Sequence, residues 1–275
     1  MKMLKDHQIL FDAECPMCKL YTKAIVNAGI LDGDGRIAYQ EVTEQACPMV
    51  DWQRAVNEIA LINHQTGEVT YGIESLFKVM SAVVPGLHFL FSFKPFVWLM
   101  AKVYAFISYN RRVIIPPHTN SDHFQLQPTF RLYYRIAYIV FTWFVVGFIL
   151  SAYAPLLTGV IPEGESYREY IICGGQILFQ GLVILVVNKE KIWSYLGNMM
   201  TISLAGGLLL LPVIWMSNWL TIDPLICTIW FIIVAGLMLL EHIRRCRLLE
   251  VGWVLSAGWV AYRLLILVVL YLRIL

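Results

Sequence analysis

The chain has 275 residues, 59% of them hydrophobic and only 15% charged, against roughly 45–50% and about 25% in soluble domains. That balance excludes an ordinary soluble globule, and a formal net charge of +2 with no basic stripe argues against nucleic acid as a partner. The first 20 residues carry Asp12 and Glu14 inside their only apolar stretch and have no small-residue cleavage pattern. They are not expected to be a signal peptide, and the amino terminus is expected in the cytosol.

In chain order, His7 to Phe11 is a short apolar run with strand character, and Asp12-Ala13-Glu14-Cys15-Pro16-Met17-Cys18 follows it at once. Leu20, Tyr21, Ala24, Ile25 and Ala28 then recur at helical spacing until Gly29 supplies a stop. The turn Asp32 to Gly35 leads to an alternating stretch, Arg36 to Val42, which predicts a strand, and a helix is expected around Pro48 to Val56. Ile59 to Ile62, the turn His64 to Gly67, and Glu68 to Tyr71 predict a hairpin. Ile73 to Val83 and Phe93 to Ser108 predict two closing helices, and the aromatic-rich stretch Phe91 to Tyr109 around the second suits either the domain core or the inner leaflet. The order β-α-β-α-β-β-α is that of an α/β thioredoxin-like fold, whose redox pair sits at the first strand-helix turn.

Cys15 and Cys18 occupy that turn. Cys15 is placed at or just before a helix start with Pro16 at its first position, where unpaired N–H groups and the helix dipole favour a thiolate, the attacking species. Cys18, one turn on, is expected to be less exposed and to resolve a mixed disulfide. The neighbouring charge of Glu14 opposes ionisation, so only a modest lowering of the Cys15 pKa is expected. Asp12, at the strand end, is the candidate to take or relay the proton of Cys18.

Three stretches, Ile9 to Cys18, Tyr71 to Leu76 and Tyr104 to Arg112, resemble the DCC family of thiol-disulfide oxidoreductases, known by an Asp-x-x-Cys-x-x-Cys motif and a Tyr…Asn-Arg ending. The resemblance covers residues 7 to 114. It implies a thiol-disulfide redox function, places Asp12, Cys15 and Cys18 at the motif positions, and makes Asn110 and Arg111 the closing pair. Ala13 stands where the family usually has glycine, and no proline precedes Ile59, where many thioredoxins carry a cis-proline. A zinc site from Cys15 and Cys18 with His118 and His123 has permissible spacing, but the histidines lie a hundred residues away. Neither a metal nor a cofactor is expected. Cys47 has no partner spacing and is expected to be an ordinary domain cysteine.

Residues 1–114 are therefore expected to form a cytosolic domain, residues 115–131 a linker, and residues 132–275 a transmembrane bundle of five helices. Uncharged runs of 27, 19, 31 and 17 residues, Ile136–Pro162, Tyr170–Asn188, Ile192–Ile222 and Pro224–Leu240, are followed by Val251–Leu275, apolar except for Arg263 and Arg273. Basic residues alternate from loop to loop. Arg111, Arg112, Arg131 and Arg135 precede the first span, the next loop holds Glu163, Glu165 and Glu169 against Arg168, and Lys189 and Lys191 follow. MSNWLTID has no base, and EHIRRCR has three. This pattern orients the amino terminus inside and the carboxyl terminus outside a bacterial-type inner membrane.

Cys173 and Cys227, each just inside the outer end of its span, are candidates for a membrane electron relay, with packing as small hydrophobes the alternative. Cys246 is expected in a loop. No histidine falls within a span, His242 being at an inner end, which argues against a haem held by two histidines. The glycine pairs Gly174-Gly175 and Gly206-Gly207 are expected at helix contacts. Arg263 falls near the bilayer midplane, sharing a helical face with Gly252, Ser256 and Trp259, and that face is predicted to turn away from lipid, toward a polar cavity, a lipid headgroup or ligand, or a partner subunit's acid, the alternative being an arginine that snorkels through a tilted or shortened helix. The functional expectation is a membrane-anchored thiol-disulfide oxidoreductase acting on a partner disulfide. The alternative is a non-enzymatic subunit of a membrane complex whose soluble domain docks or senses redox state.

Overall fold

The computed structural model describes residues 4–42, 47–117, 128–162, 164–165 and 167–272. The chain divides into two compact units, residues 1–134 and 135–275. In the first, β1 (His7–Phe11) lies inside a four-stranded mixed sheet of order β2-β1-β3-β4. It runs parallel to β2 (Arg36–Ala38) and antiparallel to β3 (Ala60–Asn63), which pairs with β4 (Val69–Tyr71) in the expected hairpin. Ile9, Leu10 and Phe11 are all buried because helices cover both sheet faces, so β1 reads as a continuous apolar run.

Helix α1 (Pro16–Asn27) places Cys15 and Cys18 against Ile9, Phe11, Leu31 and Leu61 on one face. Helix α2 (Trp52–Asn57) closes the other face, where Leu10, Val50, Ala55, Ile62 and Tyr71 pack. The stop expected of Gly29 is present: its φ is +66°, and the amide of Ile30 reaches back to the Ile25 carbonyl at 3.2 Å. Helices α3 (Gly72–Val83), α4 (His88–Ser92) and α5 (Lys94–Ile114) complete the unit. The α4 and α5 stretches together have the apolarity of a span, but they bend by 90°, and Asn110, Arg111 and Val113 of α5 are buried in this unit.

Two local expectations are corrected. The strand after Gly35 stops at Ala38, and Tyr39–Glu41 form a 3-10 turn that buries Tyr39. The second helix starts at Trp52 because the Asp51 carboxylate accepts the Arg54 N–H at 3.0 Å and caps it there.

The second unit is helical: α6 (Leu132–Tyr153), α7 (Arg168–Asn188), α8 (Ile192–Ser217), α9 (Pro224–Leu248) and α10 (Val254–Tyr271). Among the described residues four stretches are long and apolar enough to cross a membrane, and one of them, Arg168–Ser217, is 50 residues long. That stretch is α7 and α8 folded back on each other. The Tyr195 hydroxyl donates to Gln180 Oε1 at 2.7 Å, whereas fifteen residues of straight helix would separate the two by about 22 Å. The reversal is a 3-10 turn, Lys189–Lys191, capped by the Asn188 side chain. Five membrane-length helices result among the described residues of this unit.

The EHIRRCR segment, expected as a loop, is instead the end of α9. Glu241 accepts bonds from Arg244 and Arg245, three and four residues on, so the charges support helix rather than end it. Cys246 is correspondingly a buried helix residue, 3.5 Å from His242 Nδ1, and not a loop cysteine. At Gly174 a Cβ would fall 2.9 Å from the Trp143 ring, which gives that glycine the packing role expected of it.

Candidate active site

Cys15 is the residue before the first turn of α1. Its sulfur accepts the Cys18 backbone N–H at 3.3 Å, and Pro16 begins the helix. Both cysteines are 4% exposed, so accessibility does not separate them as the sequence suggested. Electrostatics does. The Cys15 pKa falls from its ordinary 9 to about 7, first because the Cys18 thiol hydrogen-bonds to its sulfur and then because Arg111 adds positive charge, while burial and Asp12 oppose. Cys18 moves the opposite way, far up, because that same bond holds its proton and burial disfavours its charge. One sulfur is prepared as thiolate and the other as thiol.

Arg111 comes from the last turns of α5, 99 residues beyond Asp12. Its Nη2 donates to Asp12 Oδ2 at 2.8 Å and to the Val56 carbonyl at 2.8 Å, and its Nη1 donates to the Asn57 carbonyl at 3.0 Å. These carbonyls lie at the carboxyl end of α2, so the guanidinium also satisfies orphan acceptors there. Its Nε is buried and has no partner. Burial alone would lower the Arg111 pKa, but the charges of Cys18, Asp12 and Cys15 outweigh it and raise it.

Asp12 is held on its other oxygen too: Oδ1 accepts the Glu14 N–H and the Gln40 Nε2–H, both at 2.9 Å. Gln40 Oε1 in turn accepts the Ala13 N–H at 3.0 Å, so the 3-10 turn after β2 clamps the strand-helix junction. Glu14, expected to oppose the Cys15 thiolate, pairs with Arg112 at 3.0 Å, and its charge is met there. Asn110 is fully buried and donates to the carbonyls of Phe106 and Tyr134, which fixes the turn of α5 that carries Arg111. An apolar cavity of about 320 Å³ opens on the Cys18 side, lined by Met17, Tyr21, Leu76, Tyr104, Ile107 and Arg111.

Residues 9–115 match the DCC1-like thiol-disulfide oxidoreductase family. The DCC1-like segment starts in β1 and ends just past α5, so it contains Asp12, both cysteines, Asn110 and Arg111. No curated protein and no solved structure matches the chain. The match covers residues 9–115, and the four stretches long and apolar enough to cross a membrane, among the described residues, lie beyond it.

The remaining sequence candidates fall elsewhere. Cys173 lies on a cavity wall in the helical unit, and Cys227 packs with Ile149, Tyr153, Leu210 and Val234; both are free thiols. Ser256 Oγ lies 3.1 Å from His242 Nδ1, Trp259 is 3% exposed, and the Arg263 guanidinium sits 3.9 Å over the Trp259 ring. Cys47 is half-buried and free. His118, His123, Glu163 and Arg273 lie outside the described residues. Sequence reasoning missed Gln40 and the carbonyls of Val56 and Asn57, since a glutamine in an alternating stretch carries no signal of what its amide will meet.

Proposed function

We propose that this protein is a membrane-anchored thiol-disulfide oxidoreductase in which Cys15 is the nucleophile and Cys18 the resolving thiol. The Cys15 thiolate attacks one sulfur of a partner disulfide, forming a mixed disulfide and releasing the partner's other sulfur as a thiolate. Cys18 then gives up its proton and attacks Cys15, releasing the second partner thiolate. The partner gains two electrons and the pair becomes the Cys15–Cys18 disulfide. Arg111 stabilises the negative charge that moves between the sulfurs, and Asp12 holds Arg111 in place. The proton of Cys18 goes to the departing thiolate, or to Asp12 if one of its bonds to Gln40 or Glu14 opens.

The observation that carries this reading is the geometry: two buried cysteines one turn apart at the start of α1, with Cys15 Sγ accepting the Cys18 N–H at 3.3 Å, and a buried Arg111–Asp12 pair in the same domain. The alternation of basic loops supports a cytosolic redox domain on a bacterial-type inner membrane with the carboxyl terminus outside. In a compartment that keeps thiols reduced, the direction is reduction of the partner. The test is a Cys18→Ser variant, which should accumulate a disulfide-linked partner through Cys15 that vanishes in Cys15→Ser. A stoichiometric membrane complex that keeps its function in Cys15→Ser would support the subunit reading instead.

A further inference from the structure

A second cavity, of about 60 Å³, lies among all five helices of the carboxyl-terminal unit. Its wall is mostly methionine, leucine, valine and phenylalanine, but Cys173, Gln176, Ser203 and Arg263 face it as well. Gln176 is 8% exposed, and its Nε2 is buried with no partner; the Nε of Arg263 is likewise buried and unpartnered. Apart from its stacking on Trp259, Arg263 makes no hydrogen bond or ion pair among the described residues. Among the described residues no acid forms an ion pair with it: Glu169 pairs with Arg168, Glu241 with Arg244 and Arg245, Glu250 with Lys191, and Asp223 caps α9, while Glu190 is exposed at the turn before α8. A guanidinium in an apolar bundle needs a counter-charge or hydration, because its uncompensated burial is costly.

We propose that this cavity is a binding site for one compact monoanionic group, held by Arg263, Gln176 Nε2 and the Ser203 hydroxyl. Its size selects the class of ligand. An engineered cavity that admits benzene is about 150 Å³, and a liquid water occupies about 30 Å³. This site therefore holds a halide-sized ion or a single carboxylate and rejects an aromatic ring. Water would fit and would hydrate the donors, but it would leave the positive charge uncancelled. An inorganic anion such as chloride and the carboxylate of a fatty acid lodged between helices present the same chemistry to the same donors.

The full-length protein, purified in mild detergent, tests this with two probes. Radiolabelled chloride should bind at one ion per chain and raise the melting temperature in a saturable way, by about 5–10 °C at a hundredfold excess over its Kd, with gluconate holding ionic strength constant. If a fatty acid is the natural occupant, mass spectrometry of the purified protein should find one per chain, and delipidation should lower the melting temperature until octanoate is added. Arg263→Gln and Gln176→Leu should each weaken binding at least tenfold and remove the thermal response. Should Arg263→Gln fail to fold, Gln176→Leu and Ser203→Ala carry the same test. Failure of both probes to bind the wild type, or an unchanged response in the variants, overturns the proposal and leaves a hydrated arginine.

Discussion

Replacing Arg111 with methionine separates the reasoning about the active site into two measurable parts. The guanidinium lies 2.8 Å from Asp12, with the two side chains 6% and 2% exposed, so its removal strands a carboxylate away from water. Breaking a buried pair from one side costs about 3–5 kcal/mol, and the carbonyls of Val56 and Asn57 lose their donors as well. The second part is chemical: without the nearby positive charge, the Cys15 midpoint should climb from about 7 toward its ordinary 9. Thermal unfolding of the full chain in detergent reads the first part. The rate of iodoacetamide alkylation at Cys15 against pH, followed by mass spectrometry, reads the second. Adding Asp12→Leu removes the stranded charge, and the double variant should recover most of the lost stability. Its Cys15 midpoint should stay high, because Arg111 outweighs Asp12 among the causes of the shift. A midpoint still near 7 in Arg111→Met would refute the role given to Arg111 and leave the helix start and Cys18 as sufficient.

In the reduced wild type, alkylation near neutral pH should modify Cys15 well ahead of Cys18 and Cys47, and equal rates would remove the case for an activated nucleophile. Because Cys15 is acidified in the folded state, reduced-state stability should grow by about 2 kcal/mol from pH 7 to pH 9. Above pH 9 it should fall, since Cys18 keeps its proton folded but loses it unfolded; a profile equal to that of a Cys15→Ala/Cys18→Ala variant contradicts both signs. Gly72→Ala should cost about 1–3 kcal/mol, because φ there is +58° and a Cβ would lie 2.6 Å from Glu58 Oε2; an unchanged melting temperature would show that the turn relaxes freely. A reporter active only outside the cytosol should be silent when fused near Lys191 or Arg247 and active near Glu165 or after Leu275, and activity at Arg247 would overturn the orientation.

Much of the redox domain is legible because its signals are local. An apolar run, a Cys-Pro pair and a glycine stop lie within thirty residues and define β1, α1 and the turn between them. Alternation misleads from Tyr39 onward, because it reports which side a residue faces and not whether the backbone stays extended; the contacts of Gln40 with Asp12 and Ala13 decide that. Arg111 has no local signal at all. An arginine near the end of a helix reads as a cap for its carbonyls, and the resemblance alone marked it. In the helical unit, runs without charges located the spans, while the continuation of α9 through Arg247 depended on side-chain pairing that hydropathy does not record.

The 99 residues between Asp12 and Arg111 have a consequence for synthesis. A ribosome makes the two cysteines almost at once but the arginine that helps acidify one of them only after the sheet and four helices have been made. Until α5 docks, Asp12 lacks its counter-charge, and the part of the Cys15 acidification that Arg111 supplies is missing. On the proposed function, the Cys15–Cys18 pair thus reaches its full separation into thiolate and thiol only when the domain is nearly complete.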